Sequence, residues 1–438
     1  MKLPILSVSA GIALLAAAIF GLALPASAPA ADTLRVGVLY DLTGPLAAAG
    51  SLPASVGTQI AADMINERGG VAGKYKVELV PGDAQSKPDV AINEAERLLG
   101  SEKVDILAGI YSSAQAVPLS SKVDAQKKFF WINVAIATAV FKDKNLKYVF
   151  RPQVHSDQFG ATSTDFLAEY AQKKLHKKPS ELRVAIIHED GPYGVGVASS
   201  NEEGARHHGM QIVHKEGYSL SAPDLSAMVI KLKRARPDVI LHTGYNPDIT
   251  LFLRQSKELG LRWQALIGHG AGYGQIDKLR EAFGDDVDHV FNVDPVAAQL
   301  LDPKTLKPGV GDLTAEMVKR YKSKTGASEV PPHTSMGFNN TWVLLHDVVP
   351  MAIKKYGGYD SESLRKAALD LDIPAGGTIQ GYGVKFFPPG NSMAGQNERS
   401  SPVVMQYVKG KTFIAYPTLI QTIDPVLPLP ASSPYAMR

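Results

Sequence analysis

The chain of 438 residues contains no cysteine. This absence excludes disulfide bonds, a thiol nucleophile and attachment to a membrane through a lipid-modified N-terminal cysteine. The fold therefore depends on the burial of apolar side chains. Hydrophobic residues make up 45% of the sequence, which at this length is enough for two domains.

A large excess of either charge is also lacking. The sequence has 46 Lys and Arg against 43 Asp and Glu, which gives a formal net charge of +3. No block of basic residues stands out, so we do not expect nucleic acid as a partner.

The motifs of the common cofactor-dependent and hydrolytic enzymes are missing. The first apolar strand, Leu34 to Tyr40, is followed by Gly44 and Gly50 but by no G-x-G-x-x-G. The chain also lacks a P-loop, a G-x-S-x-G elbow and an H-E-x-x-H pair. The acidic run from Asp285 to His289 is interpreted as a polar turn rather than a metal site. We therefore expect no catalytic residue, no metal and no cofactor.

The N-terminal residues have the composition of a secretory signal peptide. Lys2 precedes an apolar run, Ile12 to Leu24, which ends in small residues. Cleavage is expected after Ala30, so that residues 1–30 form the signal peptide of a periplasmic protein. An uncleaved membrane anchor is the alternative, but the short apolar core and the small-residue exit argue against it. No later run of 18 uncharged apolar residues follows.

Apolar strands alternate with amphipathic helices in the mature part. A helix is predicted from about Ser55 to Glu67, strands at Lys76 to Val80 and at Val104 to Ile110, and a helix between those strands. This alternation is typical of a parallel α/β sheet.

The pattern starts again in the middle of the chain. Leu182 to His188 opens with the same Leu-Arg-Val as Leu34 to Tyr40, and Pro237 to Leu241 resembles Val104 to Leu107. Two similar doubly wound lobes are predicted. Parallel sheets bind ligands at the carboxyl ends of their strands, so functional residues are expected in loops that face a shared cleft. Turn formation alone is the competing explanation for the small polar residues there.

Several longer strings carry a family resemblance that extends from about Leu34 to Tyr416. The most specific is Ile65-Asn66-Glu67-Arg68-Gly69-Gly70-Val71-Ala72-Gly73; others are Thr43-Gly44-Pro45, Tyr111-Ser112-Ser113, Ala137-Thr138 and Asp190-Gly191-Pro192-Tyr193-Gly194. In these strings the chain resembles the type I periplasmic binding proteins of the leucine/isoleucine/valine-binding class, which serve ABC importers. The resemblance implies two Rossmann-like lobes joined by three crossovers and no enzymatic activity. It also implies a monomer whose partners are ABC permease subunits of the inner membrane.

The expected lobes are discontinuous in sequence. Residues 33–152 and 293–378 are assigned to the N-terminal lobe, and 153–292 and 379–420 to the C-terminal lobe. Residues 421–438 are interpreted as a loosely held tail.

The resemblance implies that Ser113, Ala137 and Thr138 bind a carboxylate of a small ligand. Loops that open helices present free backbone N–H groups, which suit an anion. Aromatic side chains are expected to cover the apolar part of the ligand. The candidates are Tyr193 and Tyr245 from the second lobe, with Tyr111 and Tyr273. Ser112, which is adjacent to Tyr111, is a further ligand-binding candidate.

Two departures from the family bear on the ligand. His269 stands where amino-acid binders have a Glu that holds the ammonium group, and Ala47 to Ala49 replace an aromatic residue near Gly50. A histidine is a poor ammonium partner but can donate to a carboxylate, phenol or carbonyl, so His269 is a further ligand-binding candidate. A missing ring would enlarge the pocket. An aromatic acid is therefore slightly favoured over a branched-chain amino acid or amide. A structural role for His269 stays open, as does an acid supplied by Asp41, Glu189 or Asp190.

Two other functions remain possible from the sequence. The same fold and site would suit a periplasmic sensor module that presents its ligand to a signalling partner. A secreted α/β enzyme would need a nucleophile with its base or a metal cluster, and the sequence shows neither.

Overall fold

The computed structural model describes residues 32–437, so the predicted signal peptide lies outside the described residues. Two sheets form the framework. The first contains β1 (Thr33–Tyr40), β2 (Lys76–Asp83), β3 (Ile106–Gly109), β4 (Phe130–Ile132) and β5 (Val149–Phe150). The second contains β6 (Arg183–Glu189), β7 (Gln211–Tyr218), β8 (Val239–Thr243), β9 (Ala265–His269), β10 (Phe291–Asp294), β11 (Val403–Val408) and β12 (Lys411–Tyr416).

The strand orders are those of doubly wound sheets. The first sheet has the order β2-β1-β3-β4-β5 and is parallel throughout. The second has the order β12-β11-β10-β9-β8-β6-β7, with β11 and β12 added antiparallel. The predicted architecture of two α/β lobes is confirmed.

Helices cover both sheets. In chain order they are α1 (Leu52–Glu67), α2 (Pro88–Glu96), α3 (Ser113–Ala125), α4 (Ser156–Leu175), α5 (Pro192–His207), α6 (Ser226–Ala235), α7 (Asn246–Leu259), α8 (Ile276–Phe283), α9 (Val310–Thr325), α10 (Pro332–Trp342), α11 (Val349–Tyr356) and α12 (Ser361–Asp370). The central strands β3, β4, β8 and β9 are buried along their whole length. In β4, Trp131 packs into the core beneath α10, whereas Phe130 and Ile132 pack into the core beneath α2 and α3.

The chain passes between the lobes three times. The first passage joins Phe150 to Ser156, and the second follows Asp294. Residues 379–397 still belong to the first lobe, because Ile379 and Val384 lie in its hydrophobic core. The third passage therefore comes shortly before Val403, later than the boundary predicted at 379.

The C-terminal segment, residues 421–437, packs on the second lobe. The rings of Tyr435 and Trp263 stack with centroids 4.7 Å apart, and the Trp263 N–H donates to the Tyr435 carbonyl at 3.0 Å. The Leu429 N–H donates to the Gln264 carbonyl at 2.7 Å. The expectation of a loosely held tail is wrong, because its Leu427, Leu429 and Tyr435 are buried in the core.

Candidate functional site

A small cavity lies between the two lobes, at the carboxyl ends of the strands. Both lobes and the second passage contribute to its wall, and every residue that lines it is buried. The lining residues are Tyr111, Ser113, Val134, Ile136, His333 and Met336 from the first lobe, Phe159, Tyr193, Tyr245, Gly270 and Ala271 from the second, and Asp294.

Ser113 is the first residue of α3 and faces the cavity. Its Oγ accepts a hydrogen bond from the Ala137 N–H at 3.0 Å. Among the described residues no acceptor takes the Ser113 hydroxyl proton, which can therefore be donated to a ligand. The first N–H groups of a helix also lack partners within the helix. Ser112 precedes the helix and is buried.

Ala137 and Thr138 lie behind the cavity wall rather than in it. The Ala137 N–H is already bonded to Ser113. The Thr138 hydroxyl donates to Asp157 Oδ1 at 2.7 Å, and its N–H donates to Ser156 Oγ at 3.0 Å. Thr138 thus connects the first lobe to the start of α4, and of the three predicted carboxylate-binding residues only Ser113 reaches the cavity.

A buried arginine supports this wall from behind. The Nη1 of Arg151 donates to the carbonyls of Ala135 and Ala137, at 2.9 and 3.0 Å, and its Nε donates to Gln396 Oε1 at 2.6 Å. Ile136, between those two carbonyls, lines the cavity. Burial lowers the pKa of Arg151 to about 9, so the guanidinium stays charged at neutral pH. It therefore places positive charge behind the wall, which favours an anion in front of it.

Arg151 was not predicted from the sequence. The only signal was its position directly after β5, between Phe150 and Pro152, where a solvated surface arginine is not expected.

Three tyrosines form a row of rings that crosses from one lobe to the other. Ring centroids are 5.9 Å apart for Tyr111 and Tyr245, and 5.2 Å apart for Tyr245 and Tyr193. The Tyr111 hydroxyl donates to the Ala49 carbonyl at 2.8 Å, and the Tyr193 hydroxyl donates to the carbonyl of His269. Burial raises the pKa of all three phenols well above the usual value, so they stay neutral. The structure brings these three candidates together.

Two other candidates are directed elsewhere. His269 is fully buried beneath the sheet, where its Nε2 bonds to Ser163 Oγ at 2.8 Å and its Nδ1 to Thr243 Oγ1 at 2.9 Å. Burial lowers the pKa of His269 to about 4, and its neighbours Gly270 and Ala271 line the cavity instead. Tyr273 is also buried away from the cavity, with its hydroxyl 2.6 Å from His242 Nδ1.

The space near Gly50 is filled. Gly50 has φ +143°, and a Cβ built there would lie 2.8 Å from the Tyr111 ring and 2.9 Å from His333 Nδ1. Gly50 is therefore closely packed against these two rings, with no room for a side chain.

Asp294 is the acid that the structure brings to the cavity, and the sequence analysis did not select it. It ends β10 and is 1% exposed. The three acids that were considered do not line the cavity. Asp41 accepts hydrogen bonds from Gln115 Nε2 and from the Ser86 N–H. Glu189 accepts hydrogen bonds from the N–H groups of two glycines at the start of α5. Asp190 is exposed.

No helix within residues 32–437 has the length and apolarity needed to cross a bilayer. In the same part of the chain no three His, Asp or Glu side chains are grouped as metal ligands would be.

Comparison with known proteins supports a binding function. Residues 33–400 match the family model described as periplasmic binding protein. A Leu/Ile/Val-binding protein homolog 7 from Brucella suis biovar 1 (strain 1330) is 34% identical over 395 residues, which are 90% of this chain and 94% of the relative.

Solved structures share the fold. The leucine-binding protein LivK from Thermotoga maritima superposes with a TM-score of 0.70 at 22% identity, over 87% of this chain and 97% of that one. A solute-binding protein of an ABC transporter from R. palustris, in complex with benzoate, superposes with a TM-score of 0.69 at 16% identity, over 87% and 95% of the two chains. These relatives are solute-binding proteins of the branched-chain amino acid transporter type, and they are not enzymes. The chain thus belongs to the periplasmic binding protein family.

Proposed function

We propose that this protein is the periplasmic substrate-binding component of an ABC importer and that it binds a small carboxylate with an apolar body. One observation carries the proposal: the Ser113 hydroxyl and the start of α3 face an inter-lobe cavity whose wall is backed by the Arg151 guanidinium. A carboxylate there would accept hydrogen bonds from neutral donors and would be attracted by a buried positive charge.

The rest of the cavity suits an apolar group. Tyr111, Tyr193, Tyr245 and Phe159 supply aromatic surface, and Met336 and Val134 add aliphatic surface. Leucine, for the relative from Thermotoga maritima, and benzoate, in the complex from R. palustris, are both small carboxylates with such a body. Of the three ligand classes suggested by the sequence, an aromatic acid and a branched-chain amino acid have the required carboxylate, whereas a simple amide does not.

Transport would follow from closure of the lobes. Residues of both lobes contact a ligand in this cavity only when the lobes are together, and those contacts are what stabilises the closed form. The permease subunits would recognise that form.

A thermal-shift panel on residues 31–438 tests the proposal. Benzoate, cinnamate, leucine, valine and short amides are added separately, and a true ligand at 100 times its Kd should stabilise the fold by about 2.7 kcal/mol. At least one carboxylate should shift the melting temperature, and Ser113→Ala should reduce that shift. The proposal fails if only molecules without a carboxylate bind, or if Ser113→Ala has no effect.

A further inference from the structure

A second opening between the lobes lies beside the cavity, and we call it the side cleft. It is larger than the cavity, and residues of both lobes line it. Its apolar lining includes Leu52, Pro53, Val330, Pro331 and Pro332 from the first lobe and Ile276 from the second. None of these six residues lines the cavity, so the side cleft is a separate space.

A thin wall separates the side cleft from the cavity. His333 lines the cavity, whereas the preceding residue, Pro332, lines the side cleft. Gln275 also lines the side cleft, and its Nε2 donates to His333 Nδ1 at 3.0 Å. Gly274 packs closely against the same ring, since a Cβ there would lie 3.2 Å from His333 Cε1. At this point the two spaces are therefore separated by one side chain from each lobe.

The two side chains of this wall carry no charge. Burial lowers the pKa of His333 to about 3, so its ring is neutral at pH 7. The amide of Gln275 is neutral at every pH. A hydrogen bond between two neutral groups contributes less than one that involves a charged group. An apolar chain that passes beside this pair therefore leaves no charge unpaired.

Three charged side chains line the side cleft, and each of them is already engaged within the protein. Glu329 accepts hydrogen bonds from the Thr412 N–H at 3.3 Å and from the Thr412 hydroxyl at 2.5 Å. Asp277 accepts from the Ser328 hydroxyl at 3.2 Å, and Lys278 pairs with a glutamate one turn further along α8 at 2.9 Å. None of them needs a charged group of a ligand as its partner.

Apolar surface, by contrast, is left uncovered in the side cleft. Leu52, the first residue of α1, keeps 39% of its surface exposed although it lies against two prolines and a valine of the same lining. Each methylene group of a ligand that is fully buried against such surface strengthens binding about fourfold. A ligand that reaches the side cleft would thus bind more tightly than one that ends in the cavity.

We propose that the ligand is a carboxylate with an extended apolar arm, and that the arm runs from the cavity past Gln275 into the side cleft. The inference rests on the proposed function, because it assumes that the carboxylate is bound near Ser113. The arm is placed while the lobes are apart, and Gln275 and His333 then close beside it. Since both lobes line the side cleft, the arm adds contacts that exist only in the closed form.

A series of straight-chain acids tests the effect of the arm. Butanoate, hexanoate, octanoate and decanoate are titrated calorimetrically into residues 31–438 at pH 7. Affinity should rise with chain length, by about tenfold or more between hexanoate and decanoate, because the added methylenes are buried in the side cleft. One molecule should bind per chain. Octan-1-ol, which has the apolar chain without the carboxylate, should bind at least about tenfold more weakly than octanoate.

Two variants change the side cleft without changing the cavity. Leu52→Ala removes apolar surface, and it should weaken decanoate binding about three- to tenfold while butanoate stays within about twofold of the wild type. Ala327→Trp fills the side cleft with a ring, and it should abolish the gain with chain length. The matched control is Ile230→Ala, which removes an equally exposed apolar side chain, 40% exposed, from α6 outside both spaces. It should leave all four affinities unchanged.

The outcomes distinguish this inference from the proposed function. If affinity does not rise with chain length, or rises equally in Leu52→Ala and Ala327→Trp, the arm does not occupy the side cleft and the inference is wrong. A second acid molecule bound per chain also contradicts it, because the side cleft would then be an independent site. If none of the four acids binds but another carboxylate of the thermal-shift panel does, only the inference fails. Binding that is indifferent to Ser113→Ala contradicts both proposals.

Discussion

Ser113 forms hydrogen bonds in two directions, because its Oγ accepts from the Ala137 N–H while its own proton stays available to the cavity. Replacing it with alanine should remove one hydrogen bond to a bound carboxylate and weaken binding about 10- to 100-fold. It also leaves a buried N–H without a partner, so the ligand-free protein should lose about 1–3 kcal/mol of stability. Titration and thermal melting of Ser113→Ala measure the two effects separately.

The matched comparison is Thr138→Ala. The Thr138 hydroxyl is engaged by Asp157 and does not line the cavity. This variant should lower the melting temperature and change the intrinsic affinity much less than Ser113→Ala does. An equal loss of affinity in both variants would contradict the placement of Thr138 behind the wall.

His269 predicts a pH dependence of stability. Its pKa is lowered by burial to about 4 in the folded protein, against an unfolded value of about 6.5. Below pH 6.5 the unfolded chain therefore binds a proton that the folded protein does not, and stability falls as the pH falls toward 4. By pH 5 this one histidine should account for a loss of about 2 kcal/mol.

Denaturant unfolding of His269→Gln at pH 7 and pH 5 measures that contribution. The variant should lose less stability between the two pH values than the wild type. His207→Gln, which changes an exposed histidine on α5, should behave as the wild type does. Parallel pH profiles for wild type and His269→Gln would show that His269 is not the titrating group.

The C-terminal segment, residues 421–437, behaves as an element of the second lobe. Tyr435 is 1% exposed, stacks on Trp263, and donates its hydroxyl proton to the Leu253 carbonyl at 3.1 Å. Tyr435→Ala should cost about 3 kcal/mol, mainly because it opens a cavity against a buried ring. The free energy of unfolding in urea measures this cost.

Leu419→Ala is the control, since Leu419 lies just before the segment and is 94% exposed. It should change the stability by less than about 0.5 kcal/mol. Equal, small effects of both substitutions would mean that the segment is not part of the folded lobe.

Elements with strong periodicity could be predicted from the sequence. The strands at Leu34 and Leu182 and the helix before Arg68 were found because apolar spacing and glycine breakers are local properties. The docking of residues 421–437 on the second lobe could not be predicted, because a segment rich in Pro and Ser has no periodic spacing of apolar residues. Its burial depends on the distant Trp263. The third passage between the lobes was predicted too early in the chain for the same reason. Nothing in the local sequence around Ile379 and Val384 indicates which lobe they join.

The whole molecule is held together across the cleft by a small number of polar contacts. One joins Gln275 of the second lobe to His333 of the first, with Gln275 Nε2 3.0 Å from His333 Nδ1. Gln275→Ala should favour the open arrangement by about 1 kcal/mol. The radius of gyration of the ligand-free protein in solution scattering should rise, and affinity should fall about fivefold.

Gln211→Ala is the matched change within one lobe, where the side chain bonds to the Ser180 carbonyl on the surface. It should alter neither quantity. If Gln275→Ala leaves both the scattering and the affinity unchanged, the contact does not contribute to closure.

The position of the inter-lobe cavity, the candidate site, could be predicted at this scale, although not all of its lining residues could. The cleft followed from the topology of two parallel sheets, and family resemblance led to Ser113, Tyr111, Tyr193 and Tyr245. The resemblance could not show which way His269 points, because a residue at the end of a strand can face either the core or the cleft. Asp294 was not selected, because its burial and its near lack of hydrogen-bond partners are not visible in one dimension.

The row of Tyr111, Tyr245 and Tyr193 has a kinetic consequence. Because these rings belong to different lobes and meet over the cavity, a captured molecule has no exit until the lobes separate. Its dissociation rate constant cannot exceed the rate of that separation, whatever the strength of its individual contacts. Residence time is then a property of the hinge, and a membrane partner that holds the lobes apart would release tightly and weakly held cargo alike.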